Sequence, residues 1–170
     1  MVDGRLEGEG SFLYDDGSVY HGTFRDGKLH GKGILTSSDG SEYVGTFAGG
    51  LWDGFGKRTS ANGAVYEGMF KHGRRHGIGR FVSASGSIYE GEFAADQMQG
   101  SGRYRWKNGN VYNGQVEAGK RHGQGTMTTT EYTYTGGWAN GAFHGQGRLE
   151  RHDGSSAVQE GVFEHGEFVG

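Results

Sequence analysis

Four histidines, His30, His76, His122 and His144, recur at one place in a 170-residue sequence, and recurrent histidine is raw material for a zinc site. Each stands ten residues after the start of a short aromatic-glycine cassette, so successive members fall in different copies of a repeat. Neighbouring copies lie about 10 Å apart if each supplies two strands, whereas zinc ligands share one ion at about 2 Å. A solvent-facing strand position suits these histidines better than a metal. His72 and His76 lie four apart, but across a turn. The Gly-x-Gly pairs resemble phosphate loops only superficially, because no helical periodicity follows to present an N-terminus to an anion. Glu90 and Glu92 share a strand without a recurrent pocket, and no serine sits in a Gly-x-Ser-x-Gly elbow. With no cysteine there is no thiolate ligand either. The expectation is a protein with no catalytic, cofactor-binding or metal-ligating residues.

Two basic clusters remain. Lys71-His72-Gly73-Arg74-Arg75-His76 with Arg80 forms one; Arg103, Arg105 and Lys107, followed by Lys120-Arg121-His122, form the other. Such charges at strand ends are commonly just solvated. Lys71, Arg74, Arg75, Lys120 and Arg121 also suit an anionic lipid headgroup. Arg75 and Arg121, which share one repeat position, suit the flanks of a groove for an acidic peptide. A net charge of −3 gives no general attraction to nucleic acid.

What must position these groups is the repeat itself. With the leading residue of each cassette as position 0, the chain reads Tyr20-His21-Gly22-Thr23-Phe24, Tyr43-Val44-Gly45-Thr46-Phe47, Tyr66-Glu67-Gly68-Met69-Phe70, Tyr89-Glu90-Gly91-Glu92-Phe93, Tyr112-Asn113-Gly114-Gln115-Val116, Tyr134-Thr135-Gly136-Gly137-Trp138 and Gln159-Glu160-Gly161-Val162-Phe163. The spacings are 23, 23, 23, 23, 22 and 25. A fixed period of this length marks stacked supersecondary units, each too small to bury its own apolar face.

Composition agrees. Glycine fills 37 positions, about three times the usual share, yet there is no Gly-X-Y period and no proline. Aromatics at 13% demand folding, while 32% hydrophobic residues and a mean hydropathy of −0.71 cannot fill a thick core. A thin, elongated sheet fits. No stretch approaches the ~20 apolar residues of a membrane span, and no signal peptide or myristoylation glycine opens the sequence. These features point to a soluble cytoplasmic protein.

After the aromatic at +4 comes a turn dipeptide, Asp26-Gly27, Gly49-Gly50, His72-Gly73, Ala118-Gly119, Asn140-Gly141 or His165-Gly166, with Ala95-Asp96 the departure. These are residues for a two-residue type I′ hairpin, whose central positions need φ > 0. A turn centred on +6 and +7 makes 0 face +13, +2 face +11 and +4 face +9, so tyrosine and glycine lie over the second glycine pair. The odd period requires an odd-length second loop, which Gly40, Gly63, Gly86, Gly109 and Gly154 supply as the αL residue of a three-residue loop. The 22-residue unit, reading Thr128-Thr129-Thr130-Glu131-Tyr132-Thr133, lacks that glycine and should rebuild its loop. One face then carries the aromatics. The other, judged from Glu90, Glu92, Asn113 and Gln115, is polar.

The pattern Y-x-G-x-F/W-x-x-G-x-x-x-G-x-G resembles the MORN repeat, and Tyr66 to Gly79 is a near-consensus copy. The resemblance covers one repeat domain, residues 1–170: a partial unit at 6–19, repeats starting at 20, 43, 66, 89, 112 and 134, and a partial unit at 159–170. It implies an all-β fold, an open, twisted single-layer antiparallel sheet of successive β-hairpins, whereas the number of strands by itself leaves closure into a barrel open. It also implies protein scaffolding in cytoskeletal, ciliary or membrane-associated settings. Tyr20, Tyr43, Tyr66, Tyr89, Tyr112 and Tyr134 are expected to be structural. Trp52, Arg75, Met98, Trp106, Arg121 and Phe143 are expected to line a concave partner groove for a peptide or helix. The alternatives are self-association through edge strands, since both ends read as half-repeats, and anionic lipid binding.

Overall fold

The computed structural model describes residues 5–154 and 157–170. Among these, fifteen strands follow one another through an open antiparallel sheet in chain order, without a crossover and without closing into a barrel. The described residues contain no helix. Two compact units can be distinguished: one runs through Ala84 and includes Ala94–Asp96, the other comprises Ser85–Phe93 and Gln97–Gly170.

The first unit holds β1 (Gly8–Leu13), β2 (Val19–Arg25), β3 (Lys28–Thr36), β4 (Glu42–Ala48), β5 (Leu51–Thr59), β6 (Val65–Lys71) and β7 (Arg74–Val82). The second holds most of β8 (Ile88–Ala94), then β9 (Gln97–Arg105), β10 (Val111–Glu117), β11 (Lys120–Thr128), β12 (Tyr132–Ala139), β13 (Ala142–Arg151), β14 (Val158–Glu164) and β15 (Glu167–Phe168). The last strand folds back on β14, and Val162 N–H donates to the Gly170 carbonyl at 2.6 Å.

The type I′ turns form as expected: Asp26 and Gly27 adopt φ of 52° and 74°, His72 and Gly73 50° and 80°. Even Ala95-Asp96 takes this shape, at 48° and 73°. The register, however, corrects the simple hairpin. Near the turn +4 does face +9, as in Phe47↔Trp52, but farther out Gly45 faces Gly56 and Tyr43 faces Arg58. Position 0 thus pairs with +15, and +2 with +13 rather than +11. A two-residue bulge on the returning strand absorbs the difference, and the +11 glycine sits in it at positive φ, 87° at Gly54 and 64° at Gly77. Because the bulge adds two residues, the alternation of faces survives it.

The bulge frees backbone groups that side chains at +3 then satisfy. Thr46 Oγ1 donates to the Asp53 carbonyl, Glu92 Oε1 accepts from Ser101 N–H at 3.0 Å, and Gln115 Oε1 accepts from Gln124 N–H at 2.7 Å. Glu92 is thereby a structural group. The second loops at Gly40, Gly63 and Gly109 form as expected: in the first, Ser37 N–H donates to Ser41 O and Gly40 N–H to Ser37 O, with Asp39 Oδ1 accepting from Ser41 N–H. In the short repeat Thr129 rebuilds the loop, its Oγ1 accepting from the N–H groups of Glu131 and Tyr132.

The six tyrosines form the core, each 0 to 3% exposed. Each ring lies diagonally over the +13 glycine of its hairpin, and its hydroxyl donates to the +3 carbonyl of its own strand, as from Tyr43 to Thr46 at 2.9 Å. Phenylalanine or tryptophan at +4 meets these rings edge-on: Tyr43 lies 5.0 Å from Phe47 and 5.2 Å from Phe70. A single layer can therefore fold with no second layer, because rings standing over bare glycine backbone bury themselves.

Candidate partner-binding surface

Five of the six residues expected to line a groove, Trp52, Arg75, Met98, Arg121 and Phe143, occupy position +9, the first inward position after the turn. Here the backbone links successive repeats. The N–H at +7 of one turn donates to the +9 carbonyl of the preceding repeat: Gly73 to Trp52 at 2.7 Å, Gly119 to Met98 at 3.0 Å, and Gly141 to Arg121 at 2.9 Å. Those bonds fix the backbone of +9 and leave its side chain over the tyrosine row, half-buried in each of the five.

In the first unit Trp52 stacks on Tyr43 at 4.8 Å and meets Phe70 edge-on at 5.6 Å, with the Arg58 guanidinium 5.0 Å above its ring. So firmly packed a ring holds the sheet together as well as offering an outer surface. Arg75 lies 5.8 Å from the Tyr66 ring and 5.4 Å from Phe81, and pairs with Asp96 at 3.4 Å. Trp52, Arg58, Arg75, Phe81 and Asp96 border an open cavity of about 450 Å³.

In the second unit Arg121 takes the place of Arg75. Its guanidinium lies 4.6 Å from the Trp138 ring and 5.7 Å from Trp106, and Nη2 donates to the Gly141 carbonyl at 2.7 Å. Desolvation holds its pKa below the usual arginine value. Met98, Tyr104, Trp106, Val116 and Arg121 surround a cavity of about 320 Å³. Phe143 is different: it stacks on Tyr134 at 3.8 Å and packs against Trp138 and Phe163, as part of the core rather than of that lining.

Arg75 and Arg121 thus each belong to a cavity of their own unit. Of the cations considered for lipid, Lys71 and Arg74 are paired across the turn and exposed, and Lys120 is exposed beside Glu117. Arg75 and Arg121 are instead engaged with aromatic rings. The histidines of position +10 sit apart, His122 bonded to Glu117 at 3.2 Å. No group of three metal-ligating side chains comes together among the described residues.

The opposite face, expected to be mostly polar, carries an apolar strip. In the first unit it exposes Ile34, Val44, Phe55, Met69 and Ile78, with Ile34 paired to Val44 and Phe55 to Met69. Ile34, Val44 and Phe55, with Lys32 and Lys57, line a shallow groove of about 590 Å³. Alternation alone could have found this strip, but repeats later in the chain carry Glu90, Asn113 and Gln115 at the equivalent places.

A sheet of stacked hairpins with a row of buried tyrosines along one face is the architecture of a repeat-built module. The MORN repeat model matches residues 1–19, 20–42, 43–65, 66–88, 89–111, 112–131 and 134–156, and the chain belongs to the MORN-repeat family. Proteins built of these repeats are generally non-enzymatic binding modules. No curated protein matches the chain as a close relative.

Proposed function

We propose that this protein is a noncatalytic scaffold that holds an extended or helical segment of a partner protein along its tyrosine face. The observation that carries this reading is the recurrent +9 site. Five consecutive hairpins return a half-buried aromatic, arginine or methionine over the tyrosine row, Trp52, Arg75, Met98, Arg121 and Phe143, and these are side chains that anchor protein interfaces. Each unit pairs such anchors with an open cavity, and a partner that spanned several repeats would gain from each in turn.

Site-specific photo-crosslinking tests it. A benzophenone side chain introduced at Met98, on the tyrosine face, should capture a defined peptide from a cell extract. The same group at Gln115, on the opposite face, should not. Equal, unfocused labelling from both positions would refute the assignment.

A further inference from the structure

Arg75 and Arg121 hold the same repeat position and the same aromatic setting, yet only one is neutralised within its unit. Arg75 has Asp96, which stands at +7, where the other six turns carry Gly27, Gly50, Gly73, Gly119, Gly141 and Gly166. Asp96 Oδ1 accepts from Arg75 N–H at 2.9 Å and its carbonyl accepts from Nη2. The counterpart beside Arg121 is Gly141, which offers a carbonyl but no carboxylate. Among the described residues no carboxylate pairs with Arg121. Its Nη1 points at the Met127 sulfur, 3.8 Å away, a weak acceptor.

A half-buried guanidinium over two tryptophans, without a counter-charge, attracts an anion more strongly than an exposed one, because its charge is less well screened there. The cavity beside it selects among anions. Met98, Tyr104, Trp106 and Val116 give it apolar and aromatic walls, and no acidic residue is in its lining. A lipid headgroup is better served by a spread of exposed lysines and arginines. A carboxylate on an apolar-flanked peptide meets both the wall and the charge.

Resting on the reading of the tyrosine face as a partner surface, we propose that the second unit reads one acidic side chain of the bound segment through Arg121, whereas Asp96 has closed the equivalent site on Arg75. The anchor residue is glutamate or aspartate flanked by leucine or phenylalanine. Its carboxylate accepts from the guanidinium, and its apolar neighbour enters the cavity against Met98 and Trp106.

Matched synthetic peptides test this on the full chain. One set carries a central glutamate between leucine and phenylalanine; the other carries glutamine in its place. Fluorescence anisotropy should show the glutamate peptide binding about tenfold or more tightly, as expected for a partly buried charged pair. Arg121→Gln should abolish the preference. Gly141→Asp should abolish it too, with Arg121 still present, by grafting the internal carboxylate of the first unit. The added Cβ would lie 3.9 Å from Arg121 Nη2, and Asp96 shows that aspartate is tolerated in this turn.

Glutamate and glutamine peptides binding within twofold of each other would overturn the proposal, as would no binding by either, or a preference that survives Gly141→Asp. Arg121-dependent binding to phosphoinositide vesicles, with no peptide preference, would assign the site to lipid and also overturn it. Peptide binding that persists without charge preference and is lost in Trp106→Ala removes only the acid reader. Unfocused crosslinking from Met98 removes the partner surface itself.

Discussion

The ring of Tyr112 lies so close over Gly125 that a Cβ built on the glycine would stand 2.6 Å from the ring atoms Cε2 and Cζ. The hydroxyl then reaches past Gly114 to the Gln115 carbonyl at 2.6 Å. Ring and glycine therefore form one unit of packing. Gly125→Ala should cost about 1–3 kcal/mol through overpacking. Tyr112→Ala should cost about 3–5 kcal/mol, by analogy with other buried aromatics. In the Tyr112→Ala background the alanine at 125 no longer meets a ring, so its cost should fall toward zero. Denaturant melts of the two single variants and the double variant give the coupling directly, and additive losses would show that the contact does not decide the position.

The period, the hairpins and both turn types were legible because glycine, aspartate and asparagine mark positive φ in the sequence itself. The register was not. A glycine in a bulge and a glycine beneath a ring look alike in one dimension, and Gly54 and Gly56 serve these two different ends. The surplus of two glycines where one suffices for ring clearance was the available signal. Ala95-Asp96 looked like a broken turn, yet it keeps the turn shape, and its aspartate engages Arg75. Trp52 and Phe143 were legible as aromatic-face residues, but only their neighbours show how far each belongs to the core.

The buried tyrosines make stability fall at alkaline pH. Desolvation raises the phenols of Tyr43, Tyr66, Tyr89 and Tyr112 to about 12 from the ordinary 10. Folding favours the neutral phenol, so the stabilisation is fully present below about pH 10. It is lost as pH rises from 10 toward 12, where the unfolded chain has released protons that the folded chain still holds. Tyrosinate absorbance and far-ultraviolet circular dichroism, followed together, should show these four phenols ionising only as the strands are lost. Their ionisation near pH 10 with the sheet intact would contradict the burial.

The apolar strip of the first unit should behave as a surface rather than as core. Phe55 is 57% and Ile78 66% exposed, so Phe55→Thr and Ile78→Thr should each change stability by no more than about 0.5 kcal/mol. Both should lower the binding of a hydrophobic dye to the native chain, which is the measurement that separates a displayed strip from a buried one. A large loss of stability with dye binding unchanged would place these side chains in the packing.

Asp96 makes the sharpest demand on the comparison of the two arginines. Its φ of 73° is a conformation in which a residue with a Cβ is strained by about 1–2 kcal/mol, so Asp96→Gly relieves the backbone. The half-exposed pair with Arg75 that is lost is worth about 0–1 kcal/mol. Stability should therefore hold or rise slightly. The consequence for binding is larger, because Arg75 would then stand over Tyr66 and Phe81 without its internal carboxylate, beside the cavity of about 450 Å³. Calorimetric titration with the glutamate peptide should go from one site per chain to two, and Arg75→Gln in the same background should return it to one. A variant that folds normally but gains no second site would show that the aspartate holds the turn and does not mask the arginine.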